Sequence, residues 1–227
     1  MTQDQRVPRD DFFTLIHKGQ RRELFLATTH AGTLDWDDPD AAAEFGASWS
    51  DVSRMLTMHA KHEDNHFLPL LLEIAPNLVK RVQSSHHDSA RELVELNATI
   101  EAAALAPTSS AGIAVYRELS AFVASYLVHI LEEETIVMPA IWEYCTDDEI
   151  AGARRAFLAD QSLAGVVRSR RAILPAISRH ERANMARSLR TAASSESFDA
   201  FMADAQGLLE PKDWVQLSAD VADAIQP

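Results

Sequence analysis

Residues 58–73 read MHAKHEDNHFLPLLLE, and residues 128–143 read VHILEEETIVMPAIWE. Laid one above the other at an offset of 70, they match at the positions that carry chemistry. His59 falls on His129, Glu63 on Glu133, Asp64 on Glu134, Pro69 on Pro139 and Glu73 on Glu143. An offset of 69 pairs two further segments: His17 with His86, Arg22 with Arg91, Glu23 with Glu92 and Leu24 with Leu93. The chain therefore reads as a helix pair written twice. The first helix of each pair offers one histidine. The second offers His-x-x-x-Glu and ends near a proline.

Apolar spacing supports that reading. Steps of three and four place residues on one helical face. Phe45, Trp49, Val52, Leu56, His59, Glu63, His66 and Leu70 form such a stripe; Tyr116, Leu119, Val123, Tyr126, His129, Glu133 and Ile136 form another. His86 shares a face with Val79, Val82, Leu93 and Ile100, whereas His87 points about 100° away, one residue's rotation. No alternating strand pattern competes. Helices are predicted over 11–29, 40–68, 77–104 and 113–138, joined by short loops. The predicted fold is all-α, an up-down-up-down four-helix bundle spanning residues 10–145. Residues 146–227 form an accessory region of additional C-terminal helices, placed at 148–160, 163–177, 179–192, 195–209 and 212–225. Ser178 with Glu181 fits a capping box, and Pro211 suits the first turn of the last helix.

Composition narrows the function. The 227 residues are 47% hydrophobic, with only 7 Gly and 9 Pro, and carry a formal net charge of −13. Such an acidic chain is expected to bind neither nucleic acid nor an anionic membrane surface, since both need clustered Lys and Arg. No apolar run is expected to reach the roughly 20 residues of a membrane span, and the polar start MTQDQRVPRDD does not read as a signal peptide. The single Cys145 rules out an internal disulfide and fits a reducing, cytoplasmic setting. Metal-binding capacity lies in nine histidines and the carboxylates.

A histidine and a glutamate four apart on a helix lie about 6 Å apart along the axis and can reach one centre. Four helices then contribute four imidazoles and two carboxylates. A lone core histidine is more often simply hydrogen-bonded, but buried glutamates are rarely tolerated unpaired. The set is too large for one tetrahedral zinc and suits two ions bridged by Glu63 and Glu133. HEDNH also matches the zinc-protease pattern H-E-x-x-H on His62, Glu63 and His66. The extended form fails, because Pro69 stands at its glycine and Leu72 at its final histidine. A ferritin-like oxidase would need Glu-x-x-His on two helices, and Glu133 is followed by Ile136 instead.

His17, His59-x-x-x-Glu63, His86 and His129-x-x-x-Glu133, with a proline six residues after each glutamate, resemble the hemerythrin family, and more narrowly bacterial hemerythrin-like HHE cation-binding proteins. The resemblance covers about residues 10–143. It implies a four-helix bundle around a dinuclear non-haem Fe centre, oxo- or hydroxo-bridged, with His17, His59, His86 and His129 as terminal ligands and Glu63 and Glu133 as bridges. It implies a small partner molecule (O₂, NO or peroxide) and a role in sensing, stress response or iron and oxygen handling. A metal-binding signalling module without turnover is the alternative. Two departures stand out: the oxygen carriers have a second histidine four residues on, where this chain has Ala90, and Asp where it has Glu133. His66, one turn beyond Glu63, is expected to replace the missing ligand, with His62 second. The C-terminal stretch RAILPAISRHERANMARSLR resembles the helical extension of some bacterial members; a hydrophobic face there would serve a homodimer or a protein partner.

Overall fold

The structure, a computed structural model, describes residues 9–223. Four long helical segments form a closed ring. They are α1 (Thr14–Thr33), α2 (Pro39–His62), α3 (Pro76–Leu105) and α4 (Ser109–Glu132). Each packs on its two neighbours, α1 closing against α4. Local chemistry sets their starts. The Asp38 carboxylate accepts from the amides of Asp40 and Ala41, with Pro39 at the first position of α2. Pro76 opens α3, and the Thr108 hydroxyl accepts from the Ala111 amide ahead of α4.

The α1–α2 and α3–α4 connections meet at one end of the bundle. There the Trp36 indole lies against Gly112 and donates to the Ala31 carbonyl at 2.9 Å. Asp37 binds both the amide and the hydroxyl of Ser109, at 3.0 and 2.6 Å. α1 runs to Thr33, past the break expected after Thr29, and α4 begins at Ser109 rather than 113. These side-chain contacts bring the flanking residues into the helices.

At the other end both repeat halves widen in the same way. Glu63–Phe67 and Glu133–Val137 are π-helical turns. The Leu68 amide bonds to the Glu63 carbonyl and the Met138 amide to that of Glu133, five residues back rather than four. Pro69 and Pro139 follow immediately. A proline ring in an α-helix collides with the carbonyl four residues earlier, and it offers no N–H. The wider turn absorbs both problems, so the chain continues beyond each proline, through Leu68–Leu71 as a 3₁₀ turn and through α5 (Met138–Tyr144).

The wider turn also shifts the inward face by one residue. Val137 is fully buried and Ile136 is 45% exposed, against the predicted stripe; Phe67, not His66, is buried beneath Glu63. Ser109–Tyr144 is long and apolar enough to cross a membrane by length and composition, contrary to expectation. In this structure its apolar side, including Val115, Leu119 and Ile130, lines the bundle core.

The bundle core is two apolar clusters, one built around Trp36, Trp49, Leu96 and Leu119, the other around Phe13, Phe67, Val82 and Ile141. Polar residues separate them. The C-terminal helices are α6 (Asp147–Asp160), α7 (Leu163–Ala176), α8 (Arg179–Ala192), α9 (Ser195–Leu208) and α10 (Pro211–Asp223); positions 224 and 225, expected in the last helix, lie outside the described residues. The Ser178–Glu181 capping box is present, and Thr146–Glu149 forms another. α6 packs on the first π turn, and α7 lies along α1, where a Cβ on Gly19 would come 3.0 Å from the Ala172 backbone. α8, α9 and α10 enclose an apolar cluster of their own around Phe201 and Leu217, which Leu174 of α7 joins.

Two glycine substitutions test this packing with opposite signs. A Cβ on Gly112 would sit 2.1 Å from the Trp36 ring, whereas one on Gly207 meets nothing within 4 Å. Gly112→Ala is expected to lower the unfolding free energy by about 1–3 kcal/mol. Gly207→Ala should leave it unchanged or raise it by up to about 1 kcal/mol, through helix propensity alone. Urea denaturation of both variants reads the difference.

Candidate metal centre

Between the two apolar clusters sit His17, His59, Glu63, His86, His129 and Glu133, all buried. α1 supplies His17, α2 His59, α3 His86 and α4 His129, and the π turns supply the glutamates. Their donor atoms form two groups that could each hold an ion, one of His17, His59, Glu63 and Glu133, the other of Glu63, His86, His129 and Glu133. Both glutamates belong to both groups.

Each carboxylate turns one oxygen to each group. Glu63 Oε1 lies 2.9 Å from His59 Nε2 and 3.9 Å from His17 Nε2, while its Oε2 lies 3.3 Å from His86 Nε2. Glu133 Oε2 is 3.4 Å from His17 Nε2, and its Oε1 is 3.2 Å from both His86 and His129 Nε2. His17 and His59 Nε2 are 3.0 Å apart. A metal–donor bond of about 2.1 Å separates donors on one ion by about 3.0 Å at right angles and about 3.4 Å tetrahedrally. All but one of the separations have that size. Despite the short contacts, both oxygens of Glu63 and Oε2 of Glu133 accept no hydrogen bond among the described residues. Buried carboxylates are seldom left so; the donors converge on common points rather than on each other, which is how a cation is held.

The outer nitrogens explain how the rings are aimed. His17 Nδ1 lies 3.1 Å from Glu134, and Arg21 grips the same carboxylate at 2.6 and 3.0 Å. His86 Nδ1 lies 2.9 Å from Asp64, and His129 Nδ1 3.1 Å from the Ser85 hydroxyl. A Nδ1–H donated to a carboxylate leaves the Nε2 lone pair for a metal, and such outer partners orient metal-binding imidazoles. The pairing is crossed: the acid after the α4 glutamate serves α1, and the acid after the α2 glutamate serves α3. These partners were missed in the sequence reading. Their signal was present in the repeat, which aligned Asp64 with Glu134.

His66 and His62 are not brought to either group. His66 Nε2 faces Asp160 of α6 at 3.1 Å, and His62 faces the Gln161 amide at 3.2 Å. The π turn carries His66 off the inner face, putting Phe67 where an unbroken helix would put a ligand, while His62, just ahead of the turn, lies on the flank of α2 that faces Gln161. Tyr126 is buried next to the site, its ring centre 5.7 Å from that of His129 and its hydroxyl 3.2 Å from Gln20 Oε1. Burial, with Glu63 and Glu133 nearby, pushes the Tyr126 phenol well above its ordinary range, so it stays protonated. His30, His87 and His180 are exposed, and Cys145 is a buried free thiol.

Electrostatics follow from the two buried carboxylates. Burial disfavours a charged His17, yet Glu133, Glu134 and Glu63 outweigh it and raise its pKa to about 10. Burial likewise opposes charge on His86, and Asp64, Glu133 and Glu63 push it up to about 12. At His129 burial wins, and its pKa falls. Without a metal, protons on His17 and His86 supply the positive charge that the glutamates require.

A family model described as the Hemerythrin HHE cation binding domain matches residues 10–141. Neither the curated proteins nor the solved structures gave a match.

Two predictions follow from the outer partners and the protons. Glu134→Gln and Asp64→Asn should each weaken metal binding about 10–100-fold, with all six inner donors intact, as measured by competition with a chelator. His17 has a folded pKa of about 10 against an ordinary 6.5, so its contribution to stability is full below pH 6.5 and lost as pH rises towards 10. Metal-free protein should therefore lose stability across that window. Metal-loaded protein, having released those protons, should not. Denaturant midpoints at the two ends of the window decide it.

Proposed function

This chain belongs to the hemerythrin HHE cation-binding family, and from that membership we propose that its centre holds two iron ions and binds or reacts with a small oxidant such as O₂, NO or peroxide. The observation that carries the reading is the sharing of both glutamates, with one oxygen of each turned to either donor group. Such sharing suits a bridged pair of ions. A mixed imidazole and carboxylate shell suits iron, which takes more than the four protein donors each group offers.

Bound iron would supply electron transfer and a Lewis-acid site for the small molecule. His17 and His59 would hold one ion, His86 and His129 the other, and Glu63 and Glu133 would join them. Glu134 and Asp64 keep the imidazoles of His17 and His86 aimed inward. The Phe13 and Phe67 side chains keep water from the carboxylate side, where Phe13 stacks on His17 with ring centres 5.5 Å apart.

A second reading is a metal-binding signalling module with no turnover. α7 packing along α1, the helix of His17, favours it, because occupancy could then be felt by residues 146–227. A protease at His62, Glu63 and His66 is not supported, since those histidines point to α6 and its following residue.

Protein expressed with ample iron and analysed for metal should hold about two iron ions per chain and show charge-transfer absorption that NO or azide alters. Full zinc occupancy with iron excluded, or no metal at all, would sink the reading. Steady consumption of peroxide or NO separates turnover from signalling.

A further inference from the structure

The inner donors do not surround the centre evenly. Glu63 and Glu133 lie one turn beyond His59 and His129, and so approach from the end of the bundle that holds Phe13 and Phe67. Among the described residues, no carboxylate joins either donor group from the opposite side of the histidines. Because α1 and α4 are antiparallel, Gln20, one turn after His17, and Tyr126, one turn before His129, both belong to that opposite side. Met55 of α2 shares the layer, and all three are buried.

Gln20 and Tyr126 make one hydrogen bond between them, 3.2 Å from the Tyr126 hydroxyl to Gln20 Oε1. Gln20 Nε2 then finds no acceptor among the described residues, although the side chain is fully buried. Turning the amide round does not help. Its N–H would then donate to the phenol oxygen, and the phenol proton would lack an acceptor instead. Either way a polar hydrogen beside the centre is left over, where unmade hydrogen bonds are costly.

Resting on the dinuclear reading above, we infer that Gln20 and Tyr126 form a donor pair that hydrogen-bonds a small anionic ligand, of the hydroperoxide or azide class, on the carboxylate-free face of the centre. Two features select an anion over a neutral diatomic. The pair has amide hydrogens to spare, and hydrogen bonds to charged acceptors are roughly twice as strong as neutral ones. The Tyr126 hydroxyl fixes the amide, and the amide of Gln20 contacts the ligand.

The test uses full-length, iron-loaded protein, with iron per chain measured first, and titrates azide and NO separately. Gln20→Met keeps the side-chain length and removes the donor; Tyr126→Phe leaves the amide unoriented. Both are expected to retain the wild-type iron content, to bind azide about tenfold or more weakly, and to bind NO within about twofold of wild type. Unchanged azide affinity with iron retained overturns the inference. So does an equal loss for azide and NO, which marks the pair as a mere tie between α1 and α4. Should Gln20→Met not fold, Tyr126→Phe decides the matter alone. If wild-type protein takes up no iron, the dinuclear reading falls and this inference falls with it; wild-type iron with unaltered variants removes this inference only.

Discussion

Two carboxylates buried in the middle of a helical bundle dominate this molecule. Glu63 and Glu133 lie where water is excluded, and a bare charge in such a place is among the most unfavourable features a fold can carry. The surroundings are organised to meet it. Four imidazoles face the carboxylates, one from each helix, and the apolar core divides into two clusters on either side. Protons meet the need for positive charge when no metal is present, and cations meet it better, since they satisfy oxygens that no N–H reaches. Metal binding and folding are therefore linked through the same two residues.

The repeat explains how one local device serves twice. Each half places a π turn at its glutamate and a proline just beyond. Such turns inside helices are uncommon and gather at functional sites. Here the turn has a mechanical consequence: it advances the inward face by one residue, so that Phe67 and Val137 come under the glutamates. The second consequence is reach across the bundle. Asp64 and Glu134, next in sequence to the glutamates, are turned to the neighbouring helices and hold His86 and His17. The two halves thus complete each other's sites. Arg21, paired with Glu134, extends the network along α1, the helix against which α7 packs.

Much of this was legible in the chain. Ligand spacing on a helix is a local property, and the repeat alone puts four histidines and two glutamates in register. The exposed position of His87 followed from the same periodicity. What periodicity could not carry was a change of period. An unbroken 3.6-residue helix puts His66 and Ile136 inward, and the observed chain puts both outward. The prolines at 69 and 139 are the available signal: by helix periodicity alone they mark helix ends, whereas in the structure each follows a wider turn that lets the chain continue.

The sequence by itself thus determined the all-helical fold, the duplicated helix pair and the inner donor set, because each depends on residues within one or two turns of one another. The tertiary structure alone decided which atoms those donors turn to one another, which oxygen of each carboxylate faces which donor group, and that Gln20 meets Tyr126 across the bundle. It also decided the fate of His62 and His66, which α6 and the residue after it take up. Those outcomes depend on the hydrogen-bond register beyond Glu63 and on partners from distant helices, and pairwise approach across a bundle is set by packing rather than by spacing along the chain.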